Sequence, residues 1–158
     1  ISGIPKVKDI TTLYDDKLLS LYKCYNIEKI LHDALNQHVW LKSGAYLIIE
    51  PTEALTVIDV NTGKFDGNKK NREDTFLKIN LEAAAEICRQ LRLRNISGIV
   101  IVDFINMEST ENNSTLIEFL KTELAKDSIP SFFIEMTKLG LVEITRKKIK
   151  KPLYEVFS

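Results

Sequence analysis

Apolar positions along this chain recur in two periods, and the switch between them lays out the architecture. Over YDDKLLSLYKCYNIEKILHDALNQ, Leu18, Leu21, Ile27, Ile30, Leu31 and Leu35 mostly follow a helical spacing broken near Tyr25 and Asn26, which predicts two short helices. From Trp40 the texture becomes strand-like: Tyr46 to Glu50, a turn at Pro51-Thr52-Glu53, then Leu55 to Val60, together a predicted hairpin. The polar stretch from Asn61 to Arg72, with Gly63 and Gly67, has no apolar period and predicts a long exposed loop.

Glu73 to Asn95 carries the strongest helical pattern, with Phe76, Ile79, Ala83, Ile87 and Leu91 on one stripe widened by Ala84 and Cys88. Arg89, Arg92 and Arg94 gather at its C-terminal end, where the macrodipole favours cations. After Gly98, the continuous run Ile99 to Val102 predicts a strand covered on both faces. A polar stretch, Glu108 to Ser114, precedes a second amphipathic helix built on Leu116, Ile117, Leu120 and Leu124, which Pro130 bars from continuing. Ser131 to Met136 predicts another strand, and Leu139 to Val142 begins a last element. Alternating strands and helices give an α/β class, a layered sheet with flanking helices.

Composition narrows the possibilities. With 158 residues and 44% hydrophobic content, one ordinary core is expected: one compact domain, or one plus a fragment of another. The 22 basic and 22 acidic residues cancel, so the global cationic field of many nucleic-acid binders is missing and phosphate binding has to be local. Cys24 and Cys88 stand alone without C-x-x-C spacing, which argues against a disulfide framework or zinc site and for a reducing cytoplasm. No apolar run reaches the roughly 18 residues that span a bilayer. The opening ISGIPKVKDI has neither a signal pattern nor an initiator Met, as expected of a piece of something longer.

Two acidic residues interrupt this pattern, Asp59 in LTVIDVNTG and Asp103 in GIVIVDFINM, each at the end of a strongly apolar run. A carboxylate placed there needs a metal, a cation or a hydrogen-bond donor to offset its desolvation. Magnesium accepts one or two carboxylates with several waters retained, so the pair suits a divalent ion. Each aspartate also suits a turn or helix cap, and spacing alone leaves both readings open. Asn61 shares the side of Asp59 on an extended strand and suits a ligand water, a phosphate oxygen or a simple turn. Lys64, Lys69, Lys70 and Arg72 bring local positive charge beside Asp59, Lys64 nearest to the strand end. The run from Arg146 and Lys147 to Lys151 is either a solvated face or a track for a nucleic-acid backbone. His32 and His38 have no nucleophile at a useful spacing, and the glycines form no phosphate-cradling loop.

The stretches NIEKILHDAL, VWLKSGAYLIIEPTEALTVIDVNTGKF, INLEAAAEICRQLRLRNISGIVIVDFINM and LGLVEITRKK resemble the catalytic core of the ribonuclease E/G family, from about Tyr22 to about Lys151. The resemblance implies a DNase I-like subdomain over residues 41–158, preceded by a helical segment, 1–40, that ends an RNase H-like subdomain. It implies Mg2+-dependent cleavage of single-stranded RNA to 5′-phosphate and 3′-hydroxyl ends, and it leaves a homo-oligomer open to the full-length parent. Asp59 and Asp103 then fall on the metal-binding aspartates and Asn61 on the associated asparagine, with Lys64, Arg146 and Lys147 expected to meet RNA. Departures are Asn106 where the family usually has an aspartate, no histidine near Asn112 and no basic residue near Pro130. The family's oligonucleotide-binding barrel, RNA 5′-end sensor and zinc link are not recognisable, so the isolated chain is expected to be weakly active or inactive. The alternative is a degenerate relative that binds RNA or a partner without cutting.

Overall fold

A computed structural model describes residues 11–63 and 72–157, and the chain divides into two compact units, Ile1–Ala34 and Leu35–Ser158. In the first unit, α1 (Leu21–Cys24) starts at Ser20, whose hydroxyl accepts from the Lys23 N–H at 3.3 Å. Asn26, at φ 49°, breaks the path before α2 (Ile27–Leu35), so the expected pair of short helices is present with its break at the expected place. Leu18, Leu21, Ile30 and Leu35 of the expected apolar stripe are exposed.

The second unit is a mixed six-stranded sheet with helices packed on it. Its strands are β1 (His38–Trp40), β2 (Tyr46–Pro51), β3 (Thr56–Asn61), β4 (Gly98–Asp103), β5 (Ser131–Met136) and β6 (Leu141–Arg146), in the order β1-β2-β3-β4-β6-β5. Its first strand, His38 to Trp40, pairs with β2. Only β3 and β4 are parallel, joined through α3 (Arg72–Leu93); the other neighbours are antiparallel. A short α5 (Leu153–Val156) follows β6.

Alternation sorts the side chains. Leu47, Ile49, Ile58, Val100, Val102, Val142 and Ile144 point to one face and are at most 1% exposed. Against them lie Ile79, Ala83, Ala84, Ile87 and Leu91 of α3 and Leu116, Leu120 and Leu124 of α4 (Thr110–Leu124). The small Ala83 and Ala84 of α3 are fully buried in this core. β4 corrects the expectation of two covered faces: Ile99 is 52% exposed and Asp103 is exposed, so the second face of the sheet is open. The polar stretch before α4 also reads differently once folded. Ser109 caps the helix by accepting from the Asn112 N–H at 3.2 Å, so α4 begins inside that stretch, at Thr110.

Arg146 was expected at a phosphate and is instead part of the core. Its guanidinium, 2% exposed, donates to Asp127 Oδ2 at 2.8 Å, Asn95 Oδ1 at 3.0 Å and the Ile96 carbonyl at 2.9 Å. It thereby ties the α3–β4 connection to the α4–β5 connection. Asn95, at φ 49°, donates in turn to the Lys150 and Lys151 carbonyls, pinning the backbone of the basic run.

Burial pushes the Asp127 carboxyl up, but hydrogen bonds from Arg146, the Ile129 N–H and Ser131, with the Arg146 charge, outweigh it and hold the group below its ordinary 3.8. A folded value below the unfolded one means the stabilisation is present above about 3.8 and fades as pH falls through the lower folded value. Asp127→Ala, which strands a buried guanidinium, is expected to lose about 3 to 5 kcal/mol in urea unfolding at pH 7. The gap between variant and wild type should narrow as pH drops below 3.8; a gap that widens in acid would contradict this account.

Candidate active site

Asp59 and Asp103 are register partners on the parallel pair β3 and β4. Neighbouring strands lie about 4.8 Å apart and partnered side chains share a face, so both carboxylates rise side by side from the open face near the carboxyl ends of their strands. That end of a parallel pair is where α/β sheets place their ligands. Asp103 is exposed and Asp59 half-buried. Asn61 donates from Nδ2 to Asp59 Oδ2 at 2.7 Å, which fixes one carboxylate oxygen and turns the amide oxygen away from it.

The loops around the pair are held by buried or well-bonded groups. Asn80 of α3 is fully buried; its Nδ2 donates to the Ile105 carbonyl at 2.8 Å and its Oδ1 accepts from the Ile105 N–H at 3.0 Å. This clamp sets the path of the chain just after Asp103. Glu73, in the first turn of α3, accepts from the Glu108 N–H at 2.8 Å, the Ser109 N–H and the Asn112 side chain. The bond from Glu108 leads the causes that keep its carboxyl below the ordinary range. On the other side, Gly63 at φ 67° passes so close to the β1–β2 turn that a Cβ would sit 2.6 Å from the Gly44 oxygen. Only glycine fits there.

An open depression of about 370 Å³ lies at these strand ends, lined among others by Asp59, Asn61, Thr62, Arg72, Asp103 and Asn106. Arg72 also lies over the Phe76 ring at 5.0 Å. Two carboxylates beside room for water offer the hard-oxygen chemistry that a divalent ion such as Mg2+ accepts. Among the described residues no cluster of three or more His, Cys, Asp or Glu could hold a metal, so an ion here would rest on the two carboxylates and water. Cys88 is buried and its thiol is pushed up to about 12 by that burial, which leaves it inert as a nucleophile.

The structure thus brings Asp59, Asn61 and Asp103 together. Lys64 lies outside the described residues. Arg146 is consumed by Asp127, and Lys147, though exposed, follows the strand end that pairs with Gly98 rather than with Asp103. Five residues of β4 separate those two positions, about 17 Å. Sequence reasoning did not single out Asn80 and Glu73. A polar residue inside the apolar stripe of α3, and an acid in its first turn, were the available signals.

The family model and the curated relatives agree. A model of the Ribonuclease E/G family matches residues 2–149. The chain is 48% identical over 140 residues to Ribonuclease E of Synechocystis sp., covering 89% of this chain and 21% of that protein. It is 41% identical over 153 residues to Ribonuclease G of Haemophilus influenzae, covering 97% and 31%, and 41% identical over 136 residues to Ribonuclease G of Escherichia coli K12, covering 86% and 28%. It therefore spans a fifth to a third of the length of these relatives.

Asn80→Leu removes both partners of the Ile105 backbone while keeping the volume roughly constant. It is expected to cost about 2 kcal/mol or more in urea unfolding and to speed hydrogen exchange at the Ile105 amide. Asn80→Asp, which sets a buried carboxylate oxygen against the Ile105 carbonyl in place of the donor, should be destabilised at least as much. Equal stability of all three would show that the clamp is not needed.

Proposed function

We propose that this chain, which belongs to the Ribonuclease E/G family, forms the core of an endoribonuclease that cuts single-stranded RNA with Mg2+ and leaves a 5′-phosphate and a 3′-hydroxyl. The observation that supports it most is the Asp59–Asp103 register on adjacent parallel strands. When bound, Mg2+ would lower the pKa of a coordinated water and offset charge developing on the phosphate oxygens. The two carboxylates would hold it. Asn61, braced against Asp59, presents an amide oxygen to a water or amide hydrogens to a phosphate oxygen. Arg72, at the rim of the depression, offers positive charge to a diester approaching two negative groups. The Asn80 clamp keeps Asp103 in place while this happens. Among the described residues no helix is long and apolar enough to cross a membrane, and the two free cysteines fit a reducing cytoplasm.

The second reading, binding without cutting, draws on Asn106. This neutral amide lines the depression where the resemblance expects an acid. The two readings separate on cleavage alone, since both keep RNA binding.

Like charges placed directly opposite on neighbouring strands destabilise a sheet by about 0.2 to 1 kcal/mol. Asp103→Asn should therefore raise the melting temperature of this chain in chelator by roughly 1 to 3 °C. Added Mg2+ should stabilise the wild type saturably and leave Asp103→Asn unmoved. An identical Mg2+ response in both would remove the ion from this pair. In the full-length parent, single-turnover cleavage of an AU-rich single strand should drop about 100-fold or more with Asp59→Asn or Asp103→Asn. The isolated chain, with less surface to position RNA, should cut far more slowly than the parent. A parent that binds the strand and never cuts it would establish the second reading.

A further inference from the structure

The open face of the sheet carries a second set of side chains beside the carboxylates. Trp40 on β1 pairs with Tyr46 on β2, and Tyr46 pairs with Asn61 on β3, so the three form one row across the strands. The next row reads His38, Ile48, Asp59, Asp103. The Trp40 and Tyr46 rings lie 5.1 Å apart at 54°, and the His38 and Tyr46 rings 5.5 Å apart at 31°. Cross-strand aromatic pairs stabilise sheets, and that bland role would suffice if the rings were covered. They are not. Trp40 sits on an edge strand and is 70% exposed, leaving most of a large apolar ring in water immediately beside a polar site.

We propose that Trp40 and Tyr46, with His38 at their edge, form a stacking platform for a base of the single-stranded nucleic acid whose phosphate lies at Asp59 and Asp103. The proposal rests on the endoribonuclease reading above and names positioning residues for it. At about 4.8 Å per strand, Tyr46 is one strand from Asn61 and Trp40 two, so the platform is continuous with the carboxylate pair. Stacking also supplies what the charge balance does not. A chain with equal numbers of basic and acidic residues has little long-range attraction for RNA, whereas base–aromatic stacking is independent of net charge and tolerant of sequence.

The hairpin bearing the rings is fixed to the carboxylate site at two points. Its turn is closed by the Leu41 N–H donating to the Ala45 carbonyl at 2.8 Å, and the Lys42 and Ser43 N–H groups donate to Glu82 of α3 at 2.7 and 3.3 Å. The same turn is where Gly63, two residues past Asn61, makes its close approach to Gly44. A base held by the rings is therefore held at a set distance from the phosphate position. That is the requirement for a near-attack geometry.

Trp40 is the sole tryptophan, so its fluorescence reports this surface alone. The wild-type chain in Mg2+ buffer is mixed by stopped flow with oligoadenylate, oligouridylate or an abasic ribose-phosphate oligomer of equal length, and read before turnover. Saturable quenching by both base-bearing strands and not by the abasic one is expected. By anisotropy of labelled RNA, Trp40→Ala and Tyr46→Ala should each weaken binding about tenfold with an unchanged salt slope, and Trp40→Phe should restore most of it. Quenching by the abasic strand to the same extent, unaltered affinity in the alanine variants, or quenching that tracks protein concentration without RNA would overturn the platform. The last of these would mark the face as a contact between two copies of the chain. Asp103-dependent cleavage by the full-length parent alongside an unquenched Trp40 would sink the platform alone. Quenching with no cleavage by the parent would sink the nuclease reading alone.

Discussion

Parallel pairing of β3 with β4 is the constraint on which the rest of the molecule depends. Parallel neighbours cannot be joined by a tight turn; the chain has to cross back over the sheet, here through the 22 residues of α3. That crossover covers one face, fills it with Ile79, Ile87 and Leu91, and brings both carboxyl ends to the same edge. Asp59 then stands beside Asp103 because both strands end there. Had the two strands run antiparallel, their final residues would lie at opposite edges and no ion could bridge them. The β4–β6 pair shows this: it is antiparallel, and Arg146 at the end of β6 is paired with Gly98, the first residue of β4.

The two ends of β4 put charge to opposite uses, and burial decides which. At one end Arg146 and Asp127 are sealed, 2% and 4% exposed, with Arg146 donating further to the Ile96 carbonyl and Asp127 accepting from the Ile129 N–H; this pair binds connections together and reaches nothing outside. At the other end two like charges line an open depression with Arg72 at its rim, and no ion pair to either carboxylate is formed among the described residues, an arrangement that costs stability and leaves lone pairs for an incoming ion. Asn80 and Glu73 show how that cost is contained. Each spends its hydrogen bonds on backbone groups around the loop after Asp103, so the carboxylates are held from behind by groups that do not compete for the ion.

Much of this was legible in the sequence, for reasons that can be given residue by residue. A 3.6 period over Phe76 to Leu91 has one reading, and the helices follow from such periods; a carboxylate at the end of LTVID suits an ion or a turn alike, and the resemblance, not the spacing, pairs Asp59 with Asp103. What was not legible depends on register or on three-dimensional neighbours. Ile99 to Val102 reads the same whether one face or two are covered, so the open face could not be seen. Arg146 looks like the start of an exposed basic run until β6 alternation turns it toward Asp127. Trp40 and Tyr46 are separated by a turn and become neighbours only when His38 to Trp40 is recognised as a strand, which three residues cannot announce. The helical start inside Glu108 to Ser114 was hidden because its signal, Ser109, was one polar residue among seven in that stretch.

The departures at Asn112 and Asn106 are not equivalent once their surroundings are known. The Asn112 amide donates to Glu73 and belongs to the loop support, away from the carboxylate pair. Asn106 lines the depression, with its Oδ1 so near the β5–β6 turn that a Cβ on Gly140 would lie 3.2 Å from it. An acid there would tighten the grip on a dication by adding a third negative group. It would also leave the loaded centre negative toward an incoming phosphate diester, because one dication balances only two carboxylates. With a neutral amide, one dication and the two carboxylates would cancel, leaving Arg72 at the rim to offer positive charge. Were a dication held between Asp59 and Asp103, the neutral amide would trade affinity for the ion against repulsion of a phosphate diester.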